Sequence, residues 1–238
     1  MITYEFYPDL LKWSLEKGYP WDERFKENLE ISGWLDTIKF YIEKLGKFDT
    51  NSCKNIVTYR YGLEKFKWAL DNGCPLDDKI LTSKYENVIF FPPNNYEEED
   101  DVEYLDYCTK KGCLWDDYTS RCVAKTGCLN LLKFGVEKGY LLDKNICASV
   151  AFSGNLDMLK YCHELGYALD ESVCETAASN NDQKMLEYCR NNGCQLNMKT
   201  SENALLAYNF KILRWLKEKN CPFSPVVDEI YNKFIKYH

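Results

Sequence analysis

The stretch that decides the fold reads Leu156-Asp157-Met158-Leu159-Lys160-Tyr161-Cys162, and it returns 27 residues later as Gln183-Lys184-Met185-Leu186-Glu187-Tyr188-Cys189. Copies of this phrase divide the chain into eight repeats, which start near residues 8, 35, 63, 102, 129, 156, 183 and 210. The fourth position of every repeat is a large apolar residue, and the sixth is always aromatic. Because self-similarity at a fixed period is typical of repeat architectures, the sequence predicts one repeat domain over 1–238.

Each repeat predicts a pair of helices. Leu156, Leu159 and His163 follow helical spacing, and six repeats then carry a glycine suited to the left-handed end of a helix. Four residues beyond this position every repeat has a side chain that can cap a second helix. These residues are Asp22, Asp49, Asp77, Asp116, Asp143, Asp170, Asn197 and Ser224. The prediction is an all-α solenoid of stacked antiparallel helix pairs.

The second helix of most repeats carries small apolar residues, such as Cys174, Ala177 and Ala178, which let neighbouring helices approach closely. The first and last repeats break this pattern with charged and polar residues, including Lys26, Glu30 and Asp228. Terminal repeats of a solenoid have one face without a neighbour. We therefore expect these two repeats to be caps that face the solvent.

Composition places the chain among globular proteins. Its 238 residues are 45% hydrophobic and 28% charged, with a formal net charge of −7. This acidic balance argues against a surface that follows phosphates, because nucleic-acid binders usually carry a basic stripe. Neither a signal peptide nor an apolar run long enough to span a membrane is recognisable. We expect a cytoplasmic protein without a membrane partner, with its twelve cysteines kept as thiols.

Several linker phrases resemble ankyrin repeats of a shortened type that is abundant in large DNA viruses of amoebae. The phrases are Gly18-Tyr19-Pro20-Trp21-Asp22, Gly73-Cys74-Pro75-Leu76-Asp77 and Gly112-Cys113-Leu114-Trp115-Asp116. The Thr-Pro-Leu-His phrase of ordinary ankyrin repeats is missing, together with about six residues of the β-finger. The resemblance implies an ankyrin-like solenoid with reduced or absent β-fingers. It also implies a viral protein in the host cytoplasm with a host protein as partner.

The residues that suggest chemistry mostly occupy repeat positions. Ten of the twelve cysteines fall on three such positions, which favours small buried hydrophobes over a metal site. His163 occupies a slot that is aliphatic in other repeats, so a packing role is expected. Nucleophile, metalloprotease and phosphate-binding motifs are absent. We therefore expect a non-enzymatic protein that needs neither a cofactor nor a metal.

The third repeat carries an insertion of about twelve residues, interpreted as an acidic loop over 88–101. Two readings of this loop stay open. It is either a solvated surface loop, as solenoid insertions often are, or a docking element for a basic partner surface. In the second reading the apolar anchors and acids are Phe90, Phe91, Tyr96, Glu97, Glu98 and Glu99.

The residues that follow each cap vary in chemistry while the rest of the repeat stays constant, as expected of a binding face. The candidate partner-binding residues are Glu23, Arg24, Asp78, Lys79, Asp117, Tyr118, Lys144, Asn145, Glu171 and Ser172, with Thr50, Asn51, Met198 and Lys199 at the same positions. The sequence therefore predicts a monomeric protein-protein interaction module. The alternative is a helical-repeat nucleic-acid-binding protein, which would need a basic concave stripe.

Overall fold

The computed structural model describes residues 8–19, 22–32, 35–44, 46–49, 51–57, 62–76, 80–83, 85 and 98–235. Within these ranges every regular element is a helix, and no strand forms. The all-α prediction is therefore confirmed there. The described residues divide into two compact units, of which unit 1 contains those up to residue 85 and 99–115. Unit 2 contains 116–235 together with residue 98, and the continuity of one array through both units stays a prediction.

Unit 1 contains seven helices among its described residues. They are α1 (Pro8–Glu16), α2 (Glu23–Ser32), α3 (Leu35–Lys44), α4 (Ser52–Val57), α5 (Gly62–Asp71), α6 (Ile80–Ser83) and α7 (Glu98–Lys110). Helix α4 packs against α2, α5 and α6, while α3 packs against α1 and α2. The fourth-position residues Ile38, Phe66 and Leu105 are buried, as the repeat pattern predicts.

Unit 2 contains nine further helices and a π-helical turn. The helices are α8 (Asp117–Lys125), α9 (Leu129–Glu137), α10 (Ile146–Ser153), α11 (Leu156–Glu164), α12 (Glu171–Ser179), α13 (Gln183–Asn191), α14 (Met198–Leu206), α15 (Phe210–Glu218) and α16 (Pro225–Ile230). The π-helical turn, Tyr231–Ile235, follows α16 directly. Helix α10 packs between α8 and α12, and α14 packs against both α12 and α16. None of the helices in the described ranges is long and apolar enough to cross a bilayer.

Two repeat positions explain the core of unit 2. The fourth-position leucines Leu132, Leu159 and Leu186 are fully buried. Cys174 and Ala178, on the second helix of their repeat, are also fully buried. Small side chains at such positions bring the axes of packed helices close together. Both features follow the expected pattern.

The connections between helices use left-handed backbone at two points of the repeat. The predicted helix ends are confirmed, since Gly166 has φ +94° and Asn220 has φ +58°. A second set, which the sequence analysis missed, precedes the four first helices of unit 2: Gly127, Gly154, Asn181 and Tyr208 all have positive φ. The tyrosine is the costly member of this set, because a Cβ atom disfavours the left-handed region.

The expectation that the charged residues of the first repeat face the solvent is wrong. Lys26 is 6% exposed and Glu30 only 2% exposed on α2. Lys26 forms ion pairs with Glu23 and Asp49, and Asn55 Nδ2 donates a hydrogen bond of 2.8 Å to Glu30. These partners make the burial of two charges tolerable.

The predicted bounds of the acidic loop, 88–101, are wrong at the C-terminal end, because α7 begins at Glu98 and residues 98–101 form its first turn. Acidic residues suit this place, since the N-terminal end of a helix carries partial positive charge. Asp101 is buried there, so it does not belong to an exposed acidic cluster. The other docking residues, Phe90, Phe91, Tyr96 and Glu97, lie outside the described residues, as do the side chains of Glu98 and Glu99.

Candidate interaction surface

Predicted caps build several of the linkers between the first and second helices in unit 2. Asp143 is an exception, because α10 begins at Ile146 and the Asp143 carboxylate accepts its hydrogen bond from the backbone N–H of Asn145, before the helix. The Asp116 carboxylate accepts a hydrogen bond of 2.7 Å from the backbone N–H of Thr119. Asn197 accepts one of 2.9 Å from Thr200, whose hydroxyl accepts in turn from the backbone N–H of Asn197. Reciprocal bonds of this kind satisfy two backbone donors at once. Ser224 makes no such side-chain bond, and there Pro225 starts the helix.

Neighbouring linkers of unit 2 lie side by side. The backbone N–H of Leu142 donates a hydrogen bond of 3.3 Å to the hydroxyl of Tyr167, in the next linker. Cys194 Sγ likewise donates to the carbonyl of Asp170 at 3.1 Å. These contacts, together with one at 3.3 Å from Cys221 Sγ to the carbonyl of Asn197 in the preceding linker, connect four successive linkers. The N-terminal ends of their second helices, α10, α12, α14 and α16, therefore form one row. Helix α8 joins this row, because the backbone N–H of Asp143 donates a hydrogen bond of 3.0 Å to the hydroxyl of Ser120 on α8.

The candidate residues of unit 2 lie along this row, and most are exposed. Tyr118 is 44% exposed and Met198 is 51% exposed, each in the first turn of its helix. Residues that are also exposed are Asp117, Lys144, Asn145, Glu171 and Lys199. Ser172 is half-buried, because its N–H and its hydroxyl both donate to the Asp170 carboxylate. Ser172 thus belongs to the capping structure more than to the exposed row.

Two other positions differ from the expected geometry. Lys144 and Asn145 lie in a turn before α10, because this helix begins at Ile146. In unit 1, Glu23 and Arg24 are exposed in the first turn of α2. Asn51 is exposed as well, and the remaining candidates of that unit, Thr50, Asp78 and Lys79, lie outside the described residues.

Ion pairs from one helix to the next hold the row in place. Arg121 pairs with the buried Asp143, and its guanidinium lies 5.6 Å from the centre of the Tyr118 ring. Lys199 Nζ lies 2.8 Å from Glu175 Oε2, and this hydrogen bond raises the pKa of Lys199. Burial opposes ionisation of Asp116, but hydrogen bonds from Thr119 leave its pKa lowered. Lys199 and Asp116 are therefore both charged at neutral pH.

A second exposed feature of unit 2 is an apolar groove of about 560 Å³, which the sequence analysis missed. It is lined by Leu205, Leu206, Tyr208, Phe210, Arg214 and Phe234, among others. Leu206 is 76% exposed and Tyr208 is 78% exposed. The sequence feature that could have indicated this groove is the apolar Leu206 at the C-terminal end of α14.

Reactive chemistry has little support among the described residues. They contain no group of three or more His, Cys, Asp or Glu side chains arranged to hold a metal ion. All twelve cysteines are buried, and burial raises the pKa of Cys147 and of Cys162 to about 12. Such thiols are protonated at neutral pH and are weak nucleophiles. His163 Nδ1 lies 2.9 Å from the hydroxyl of Tyr188, a contact between neighbouring first helices, as its expected packing role requires.

Comparison with known protein families and with curated proteins finds no match to this sequence. The resemblance of the linker phrases to ankyrin repeats stays a prediction. The geometry of the row is therefore the main basis on which a function can be assigned.

Proposed function

We propose that the chain is a non-enzymatic protein-protein interaction module, built as an ankyrin-like solenoid of stacked helix pairs. The observation that carries the proposal is the exposed row at the N-terminal ends of α8, α10, α12 and α14. Its framework is repeated and buried, whereas its exposed residues differ from one repeat to the next. Repeat proteins use extended surfaces of this kind to bind partners.

The chemistry of the row favours a protein partner. Asp117 and Glu171 alternate with Lys144 and Lys199, so that charges of both signs are interspersed. Tyr118 and Met198 add exposed apolar area, and tyrosine is a frequent anchor in protein interfaces. A nucleic-acid surface would instead need basic residues in an unbroken stripe. The alternative of nucleic-acid binding is therefore the weaker proposal.

The order of the second helices supports the solenoid. In unit 2 each of these helices packs against the next, and each linker bonds to the next linker. The proposed location is the cytoplasm, and the proposed partner is a host protein if the chain is viral. Both of these follow from the resemblance to shortened ankyrin repeats.

The test is affinity capture from cell lysate with the full chain as bait. The face variant Asp117→Lys/Tyr118→Ala reverses a charge and removes an anchor at exposed positions. Its matched control, Phe152→Ala/Glu164→Lys, makes the same kinds of change at exposed residues away from the row. Circular dichroism spectra should show that both variants fold as the wild-type protein does.

We expect the control to retain the partner and the face variant to lose most of it, about tenfold or more, since loss of one anchor is worth 1–2 kcal/mol or more. Equal capture by all three proteins would remove this row as the binding surface. Salt-sensitive retention on heparin, in place of a captured protein, would favour the nucleic-acid alternative.

A further inference from the structure

Two pairs of thiols lie unusually close together, one in each compact unit. Cys53 Sγ is 2.6 Å from Cys74 Sγ in unit 1, and Cys174 Sγ is 3.0 Å from Cys194 Sγ in unit 2. A covalent disulfide has an S–S distance of about 2.05 Å. Ordinary contacts between the smaller carbon atoms are about 3.5–4.0 Å. Both S–S distances are thus shorter than simple packing contacts and longer than a covalent bond.

The two pairs occupy equivalent positions of the sequence repeat. In each pair one cysteine lies four residues after a capping aspartate, on the second helix of a repeat. The other directly follows the left-handed glycine of the next repeat, Gly73 or Gly193. The same approach of two sulfur atoms therefore arises independently in two parts of the chain.

We propose that these two cysteine pairs are oxidative modification sites, at which a peroxide converts each pair of thiols into a disulfide. Each bond would join the second helix of one repeat to the linker of the next repeat. The proposal concerns the framework of the molecule and does not depend on the proposed interaction row.

The reaction balances with one peroxide for each pair. The linker thiol attacks one peroxide oxygen, forms a sulfenic acid and releases the other oxygen as water. The helix thiol then attacks the sulfenic sulfur, forms the S–S bond and releases a second water. Two thiols are oxidised by two electrons in total, and the two peroxide oxygens are reduced to water.

The linker thiol is the one that a peroxide reaches first. Cys74 is 5% exposed and Cys194 is 7% exposed, whereas Cys53 and Cys174 are fully buried. The two linker thiols differ in acidity, because hydrogen bonding with Cys174 lowers the pKa of Cys194, while hydrogen bonding with Cys53 and burial raise that of Cys74.

Other repeats supply natural controls, because they carry only one thiol of the pair. The equivalent positions hold Cys147 with Tyr167, and Ser201 with Cys221. Ser201 is buried and its hydroxyl donates a hydrogen bond of 3.0 Å to the carbonyl of Pro222. A serine is thus accommodated at the helix position of the pair.

The experiment treats the folded full chain with hydrogen peroxide, alkylates the remaining thiols and maps linked peptides by mass spectrometry. We expect the number of free thiols to fall from twelve to eight, through links 53–74 and 174–194. A dithiol reductant should restore all twelve. No link in the folded protein, or links spread over other cysteines, would overturn the proposal.

Two variants separate pairing from general reactivity. Cys174→Ser places at this position the residue that Ser201 provides in the next repeat, and it should abolish the 174–194 link while leaving 53–74 intact. Cys147→Ser changes the equivalent residue without a thiol partner and should leave both links intact. Because Cys174 also hydrogen-bonds Cys189, a link to Cys189 in the wild-type protein would contradict the assigned pair.

Discussion

Helices α2 and α12 occupy the same place in their repeats but fill it with opposite chemistry. Four and eight residues after the cap, α2 carries Lys26 and Glu30, whereas α12 carries Cys174 and Ala178. All four residues are nevertheless buried. In these two helices burial is thus set by the place in the repeat, and polarity decides only which partners the buried side chain must find. At the same positions after Ser224, in the last repeat, Asp228 is half-buried and Asn232 is exposed.

The buried polar side chains of α2 need ion-pair and hydrogen-bond partners, and one atom does not find one. Lys26 pairs with Asp49, and one carboxylate oxygen of Glu30 accepts a hydrogen bond from Asn55. The other oxygen, Glu30 Oε1, is buried without a hydrogen-bond partner. Burial accordingly raises the pKa of Glu30, despite hydrogen bonds with Ser52 and Asn55. The small residues of α12 need no such compensation.

The largest loss of stability is expected when a buried glutamate like that of α2 is introduced into α12. Ala178→Glu places a carboxylate at a fully buried position, and the Asn203 amide, which occupies the place of Asn55, already donates a hydrogen bond of 3.2 Å to the carbonyl of Glu175. We expect a loss of about 3–5 kcal/mol in the free energy of unfolding, because the charge is buried unpaired. Urea unfolding followed by circular dichroism measures it.

The neighbouring substitution Ser179→Glu serves as the control, because Ser179 is exposed. It should change stability by about 0.5 kcal/mol or less. Similar losses for both substitutions would mean that buried and exposed positions of α12 do not differ as described.

A smaller loss of stability is expected when the buried Glu30 of α2 loses its hydrogen-bond donor. Asn55→Ala removes the hydrogen bond of 2.8 Å to Glu30 Oε2, beside the Oε1 atom that already lacks a partner. The free energy of unfolding should fall by about 1–3 kcal/mol, the cost of an unsatisfied buried polar group. Asn51→Ala, at an exposed position before the same helix, should have little effect in the same urea titration.

The next prediction concerns pH. The folded-state pKa of Glu30 is raised above 4.5, so the folded protein binds this proton more tightly than the unfolded chain. Glu30 therefore lowers stability as the pH rises through its folded pKa. Glu30→Gln removes the charge, so the variant should gain about 1 kcal/mol relative to wild type near pH 7 and nothing below about pH 4. A stability difference that is constant with pH would contradict this account.

The smallest change in stability is expected at the turns that precede the first helices of unit 2, where the position of a polar residue again decides its hydrogen-bond partner. Asn155 accepts from Met158 N and donates a hydrogen bond of 2.7 Å to the carbonyl of Gly127. Asp182, at the same position of the next repeat, cannot donate, and there Asn180 donates to Ala151 at 3.1 Å instead. Position and partner thus change together, as they do in α2 and α12.

Asn155→Asp keeps the cap and removes the donor, so we expect a loss of about 0.5 kcal/mol. Adding Ser153→Asn places a donor at the position equivalent to Asn180 and should restore stability. Thermal unfolding of the three proteins measures both effects. A double variant no more stable than Asn155→Asp would show that the bridge does not depend on the position of the donor.

Much of the helical framework is predictable because its signals are local and repeated. The buried fourth position, exemplified by Leu159, and the cap at Asp170 are visible as periodic residue types. The buried charges of α2 are not, because a polar residue in a terminal repeat fits an exposed position equally well. Which reading holds depends on Asp49 and Asn55, which lie in the following repeat and meet α2 only after folding.

The candidate row was predictable in part. Tyr118 and Glu171 were expected from variation after the caps, and both lie on it. The half-buried state of Ser172 was not, since a serine hydroxyl can face solvent or return to its own cap. The sequence also shows no sign that Tyr208 has a left-handed backbone. Tyr208 occupies the repeat position that Gly154 holds two repeats earlier, and this position, not the preference of tyrosine, accounts for the conformation.

The bonds between neighbouring linkers and turns of unit 2 also bear on how fast it folds. The thiol contact of Cys174 joins residues 20 positions apart, and the bond from Asn209 to Ala178 joins residues 31 apart. Ordering such short segments costs little loop-closure entropy, and chains with local contacts fold quickly. Unit 2 is therefore expected to fold rapidly for its length, with any two adjacent repeats able to serve as the nucleus from which order spreads in both directions.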